Sequence, residues 1–149
     1  MMTTTMHAPN PAFADALRRT VLAMPMAKAV GLQFTSIEPG EVNLEIPYSE
    51  SLSFRPGQMQ ATAIFAAADF AAIAAAGTLL PEGWINASID CTLKIVGPAN
   101  GDKLVACGRV VNAGKLITLS MADVYSVRNG QKTLCATALA TARNIEPKQ

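Results

Sequence analysis

The stretch from Gln58 to Leu80 restricts this chain more than any other. It is rich in alanine, lacks proline until Pro81, has no glycine before Gly77, and carries one charge, Asp69. Alanine is the strongest helix former, so the composition predicts a helix over about Gln58–Ala76, roughly 28 Å long. A helix that is apolar on every side has to be covered on every side. A bilayer could cover a segment of about 20 residues. Asp69 stands at the middle of this one, however, where a carboxylate costs several kcal/mol in lipid. The other solution is a curved antiparallel sheet wrapped around the helix, with small alanine side chains allowing close approach. That predicts an α+β fold with about six strands.

The flanking sequence supplies those strands. Phe13, Leu17, Val21 and Leu22 recur at helical spacing among Asp15, Arg18 and Arg19, predicting a helix to about Met24. Pro25 interrupts it, and Met26–Val30 forms a further turn ended by Gly31. Leu32–Glu38 and Glu41–Tyr48 flank Pro39-Gly40 as a hairpin, the second arm alternating Val42, Leu44 and Ile46 with Glu41, Asn43 and Glu45. After Pro81 come strand candidates at Trp84–Val96, Leu104–Val111, Ile117–Arg128 and Thr133–Asn144, the last two joined by Asn129-Gly130. Short connections among these four predict an antiparallel meander. Residues 1–11 read as a flexible tail without a secretory signal, and residues 12–149 as one domain.

Composition excludes several kinds of chemistry. Twelve basic residues against eleven acidic ones leave no surplus for phosphate contacts, so nucleic acid is not an expected partner. Only 15% of the residues are charged, which favours burying a face in an oligomer. The single histidine, His7, lies in the tail. A Ser-His-Asp or Cys-His relay is therefore not available, nor is a histidine metal site. No cofactor is expected. Cys91, Cys107 and Cys135 read as reduced, packed thiols of a cytoplasmic protein. Trp84 reads as core or as an interface anchor.

Asp69 is the only charge between Arg55 and Glu82, and Phe65, Ala66, Ala72 and Ile73, one turn away, offer it no partner. Burying a lone carboxylate is costly. Either a distant cation or backbone donor satisfies it, or it faces a cleft and does chemistry there.

From about Met26 to Asn144 the pattern resembles the PaaI-like branch of the hotdog thioesterase superfamily. In that branch the loop before the central helix reads Asn-x-x-Gly-x-x-His-Gly-Gly, and a catalytic Asp follows nine residues after the His. Here Gly57 falls on the early glycine and Asp69 on the catalytic carboxylate, while Phe54 replaces the Asn, Gln60 the His, and Ala61 and Thr62 the two glycines. Ser88-Ile89-Asp90, Gly97-Pro98-Ala99 and Gly114-Lys115 are similar to later motifs of the branch.

The resemblance implies a long central helix wrapped by a curved sheet, and hydrolysis of an acyl-CoA or related thioester in a homodimer or homotetramer. It implies that Asp69 acts as general base or nucleophile, with the Ala61 N–H at the oxyanion, Gln60 orienting carbonyl or water, and Ser88 holding water or carboxylate. Gly57 and Thr62 would border the substrate, and Phe54, Met59 and Phe65 would line an apolar acyl slot. Lys94 and Lys115, with Lys103 and Arg109, would be available to coenzyme A phosphates. The lost His-Gly-Gly favours one rival, a non-catalytic hotdog module that binds an acyl group or a protein. A hotdog dehydratase would need a histidine beside the carboxylate, and the sequence has none placed there.

Overall fold

A computed structural model describes residues 5–149. The expected tail therefore falls partly outside it, since residues 1–4 lie beyond the described residues. Within the rest, residues 5–9 form neither helix nor strand, and Met6 packs against Ile37 and Val42 in a small apolar cluster.

Two short helices come first, α1 (Phe13–Leu22) and α2 (Pro25–Val30). Pro25 opens α2, where its missing N–H costs nothing. Gly31 closes α2 at φ 69° with its N–H on the Ala27 and Lys28 carbonyls, a left-handed cap that favours glycine. β1 (Gln33–Glu38) and β2 (Glu41–Pro47) form the expected hairpin. A miniature hairpin, β3 (Ser53–Arg55) and β4 (Gln58–Met59), leads into α3 (Ala61–Gly77). The long helix thus starts three residues later than the composition suggested. Met59 donates its N–H to the Ala99 carbonyl, and Gln60 donates to Leu52, so both backbones are committed elsewhere.

β5 (Ile85–Ile95), β6 (Lys103–Ala113), β7 (Ile117–Arg128) and β8 (Gln131–Ile145) complete a six-stranded sheet in the order β1-β2-β6-β7-β8-β5, antiparallel throughout. The four-strand meander needs correction. β6, β7 and β8 are a meander, but β5 pairs with β8 and forms the edge opposite β1, while β6 pairs with β2. The seven residues from Val96 to Asp102 suffice for this crossing. They can span up to about 23 Å, and three strand spacings come to about 14 Å.

The sheet turns its inner face onto α3. Leu44, Ile46, Leu104, Ala106, Val124 and Ala138 pack against Ala67, Ala68, Ala71 and Ala72 in the main core. The approach is close enough that a Cβ on Gly108 would collide with the Ala71 carbonyl oxygen. At the far end of the helix the buried Thr78 hydroxyl donates to the Ala75 carbonyl and accepts the Gly40 N–H, pinning α3 to the β1–β2 turn. The expectation that the helix would be covered on every side fails within one chain. Ala61, Thr62 and Phe65 are exposed, and Ala66, Asp69, Phe70 and Ile73 are only half-buried. The sheet can wrap one side of a cylinder, and α1 and α2 cover only part of the other. Among the described residues no helix is long and apolar enough to cross a membrane.

Candidate active site

Asp69 lies on the uncovered stripe of α3. Its carboxylate accepts a hydrogen bond from the Ser88 hydroxyl of β5 at 3.1 Å. A bulge makes this meeting possible. The β5–β8 register shifts between Ser88 and Asp90, so that Ile89 is the extra residue. Strand side chains alternate with period two. Without the bulge, an inward Ser88 would force Cys91 and Leu93 outward. With it, Asn86 and Ser88 face the helix, and Cys91 and Leu93 also pack against the core. Bulges commonly re-aim a side chain beside a site in this way. Asn86 adds a second tie, donating from its side chain to the Ile73 carbonyl at 3.0 Å.

No cation pairs with Asp69; the two ion pairs among the described residues are Arg18–Asp15 and Lys103–Glu45. Burial pushes the Asp69 carboxyl above its ordinary 3.8, and the Ser88 hydrogen bond pulls it part of the way back. A carboxylate with a raised pKa is a stronger base once ionised. The nearby thiol is not a rival nucleophile: burial, with Asp69 and Asp90 adding to it, pushes Cys91 up to about 11. Cys135 is buried and likewise raised to about 11 by burial.

The carboxylate opens onto a cleft of about 740 Å³ between α1, α3 and the start of β5. Phe13 and Leu17 of α1 stand across from Phe70 and Ile73 of α3, with Trp84 and Asn86 on the β5 side. Sequence reasoning did not assign these residues to the site, apart from leaving Trp84 as core or interface. Their helical spacing marks only an apolar face, and nothing local says which element that face will meet.

The other expected site residues lie elsewhere in the protomer. Gln60 is the N-cap of α3, extended at φ −74° and ψ 154°, and no side chain caps the first turn. Ala61 is the first helical residue, so the Gly-to-Ala change sets no conformational problem there. Asp69 is eight residues further on, about 12 Å along the axis. One protomer therefore does not bring Asp69 together with Gln60 and Ala61, whereas it does join Asp69 to Ser88.

Met59 is enclosed in the main core at 3% exposure, where a substrate would have to displace core contacts to reach it. Phe54 and Phe65 are exposed, and neither lines the cleft. The Arg55 guanidinium sits 5.2 Å above the Phe54 ring. Gly57, at φ 80°, turns the miniature hairpin and donates its N–H to the Tyr48 hydroxyl. Thr62 borders a smaller hollow beside Met26 and Val30, together with Gln60.

The basic residues do not converge either. Lys115 is in a turn whose carbonyl accepts from Asn144, the β8 residue paired with Asn86. Lys94 is eight residues beyond Asn86 on β5, about 26 Å away along the strand. Lys103 is bound to Glu45 at 2.7 Å, and Arg109 points a guanidinium N–H at the Met121 sulfur.

Several solved structures match this architecture. A thioesterase family protein from Silicibacter pomeroyi superposes with a TM-score of 0.87 at 25% identity, over 91% of this chain and 99% of that one. The PaaI protein of the Escherichia coli phenylacetic acid degradation operon gives 0.79 at 18% identity, over 93% and 97%. A thioesterase from Haemophilus influenzae gives 0.76 at 17%, over 85% and 87%. No family model matches the chain, and no curated protein matches it by sequence. The fold is the hotdog fold of the thioesterase type, as the resemblance of the motifs implied.

Proposed function

We propose that this hotdog chain hydrolyses acyl-CoA or closely related thioesters, with Asp69 as the reacting carboxylate at a site shared by two protomers. The observation that carries the reading is Asp69 itself: half-buried, without a cation, held by Ser88, and open to an apolar cleft. Comparison structures described as thioesterases support the reaction class.

Two features support a second protomer. The outer edge of β5 is eleven residues of unpaired strand, with Ile85, Ile89 and Ile95 exposed. Such an edge is a template for another chain. The separation between Asp69 and Ala61 at the start of α3, about 12 Å, is the second. A partner's first turn would supply the unbonded N–H groups and positive dipole end that a developing oxyanion needs. Its Ala61 N–H then takes the oxyanion, and its Gln60 amide orients the carbonyl or the water.

In the general-base route, Asp69 removes a proton from water as the water oxygen bonds to the thioester carbon. The tetrahedral intermediate collapses by breaking the C–S bond, and the thiolate leaves with the proton. In the nucleophilic route, an Asp69 oxygen displaces the thiolate to give a mixed anhydride, which water then cleaves. Single turnover in heavy-oxygen water separates the routes: only the anhydride can deposit the label in Asp69.

The deciding experiment is a panel of acyl-CoA thioesters with free-thiol detection, applied to the wild type and to Asp69→Asn. Turnover by the wild type and a loss of at least ~100-fold in kcat for the variant, the low end for a general base, are expected. Full turnover by the variant removes Asp69 from the chemistry. Acyl-CoA affinity without any turnover instead identifies a non-catalytic binding module, the reading favoured by the Gln60-Ala61-Thr62 replacement of His-Gly-Gly.

A further inference from the structure

The cleft at Asp69 lies along α1, away from the aromatic residues before α3. We propose that it receives the acyl chain and that α1, through Ala16, sets the longest chain accepted; this rests on the thioester reading of the same site. The volume, about 740 Å³, falls within the roughly 300–1,000 Å³ of pockets that enclose small molecules. The polar Asp69–Ser88 pair lines this cleft, Phe13, Phe70, Ile73 and Trp84 give it apolar walls, and the charged Arg19 and Glu82 that also border it are exposed. One reactive group beside an apolar lining is what an acyl thioester requires. A charged or sugar-like ligand would leave that lining unused.

The direction of α1 gives the cleft a depth. Leu17 packs against Gly77, near the end of α3. The following helix, through Ala29 and Val30, meets Thr62, Ala63 and Ala66 near its start. α1 therefore runs antiparallel to α3. Of the residues lining the cleft, Thr20, Val21 and Met24 thus come toward Asp69, and Ala12, Phe13 and Ala16 toward Gly77. From Asp69 to Gly77 is about 12 Å of helix, so the cleft suits an acyl chain of medium length. Ala16 brings only a methyl group to that depth, and unlike the exposed Ala12 it is half-buried where it lines the space. It leaves the volume open where a larger residue would close it.

The test is Ala16→Trp, assayed with acetyl-, octanoyl- and palmitoyl-CoA. We expect the octanoyl-to-acetyl ratio of kcat/KM to fall at least ~tenfold, the scale on which apolar pockets discriminate size. A ratio unchanged from the wild type overturns the proposal, as does an equal loss on all three substrates. If Ala16→Trp does not fold, judged by circular dichroism, Ala16→Leu is used, and a smaller shift in the same direction is expected. If the wild type turns over none of the three, the hydrolase reading has failed on its own. Calorimetry with octanoyl-CoA then decides for the cleft: weaker binding by the variant keeps it as the acyl site, and equal binding removes it. A cleft filled by a partner protomer would show instead as a changed oligomeric state in Ala16→Trp with the ratio intact, which also overturns the proposal.

Discussion

The two sides of α3 are both largely apolar and meet opposite surroundings. On one, Ala67, Ala68, Ala71, Ala72, Ala75 and Ala76 have no solvent exposure at all. On the other, Phe65 is 41% exposed, and Thr62, Asp69 and Ile73 also reach solvent. Apart from the buried Ile64, the larger side chains are on the open side, the reverse of an ordinary surface helix. Close packing explains it. On the sheet side the backbone of β6 approaches so nearly that only glycine fits at 108 against the Ala71 carbonyl, and small side chains on the helix permit that approach. Ile64, nearer the start of the helix, is the one large side chain buried on that side, while Phe65, Asp69, Phe70 and Ile73 lie where no strand arrives. The closed side holds the protein together, and the open side carries Asp69 and reaches solvent.

Substitutions should therefore separate activity from stability. The largest effect is expected at Asp69→Asn, with the loss of turnover given above and no loss of stability at neutral pH. The sign follows from linkage. Burial raises the folded carboxyl above its ordinary 3.8, so the native state holds this proton more tightly than the unfolded chain does. As pH rises from about 3.8 through the folded pKa, ionisation progressively disfavours the fold, and the cost is complete above it. Asn keeps the Ser88 partner without that cost. Thermal melts should find the variant at least as stable as the wild type at pH 7, with the advantage vanishing below the ordinary carboxyl value. A clear destabilisation at neutral pH would contradict the placement of Asp69 on a working surface.

On the closed side, Gly108→Ala should cost about 1–3 kcal/mol in urea unfolding, the usual range for overpacking. An unmoved midpoint would show that helix and sheet have slack between them. Ser88→Ala should lower turnover on the order of tenfold, as expected for losing one hydrogen bond to a charged group. Because that bond holds the Asp69 pKa down, the acid limb of the pH–rate profile should move to higher pH. A limb that stays in place means the bond is not made during catalysis. The smallest effect on the fold is expected at Phe65→Ser, within about 0.5 kcal/mol for an exposed position. Sedimentation should nonetheless show several-fold weaker dimerisation, and identical association would take the Phe65 side out of the interface.

Much of this was legible from the residues. The alternation of Glu41–Tyr48, the Asn129-Gly130 turn and the alanine-rich segment are local signals, and each became the expected element. Asp69 drew notice because it was the one charge in an apolar run, and Ser88 because of the motif that it resembles. The resemblance implies an acyl slot at Phe54, Met59 and Phe65, all near the helix start in sequence. Met59 went into the core instead, and the cleft took its walls from α1, some 50 residues upstream of Asp69. The bulge at Ile89 left no composition cue, since Ser-Ile-Asp carries neither glycine nor proline.

The amino-acid order by itself determined that a long, weakly polar helix would need a sheet around it, and that one carboxylate would stand within it. Only the tertiary structure decided which strand lies next to which, which side of the helix stays open, and that Asp69 meets Ser88 across 19 positions. The physical reason is the helix's uniformity. Where nearly every residue is small and apolar, no amphipathic period marks one face as inner. The choice then falls to distant contacts, such as Gly108 against Ala71 and Leu17 against Gly77, that exist only once the chain has closed on itself.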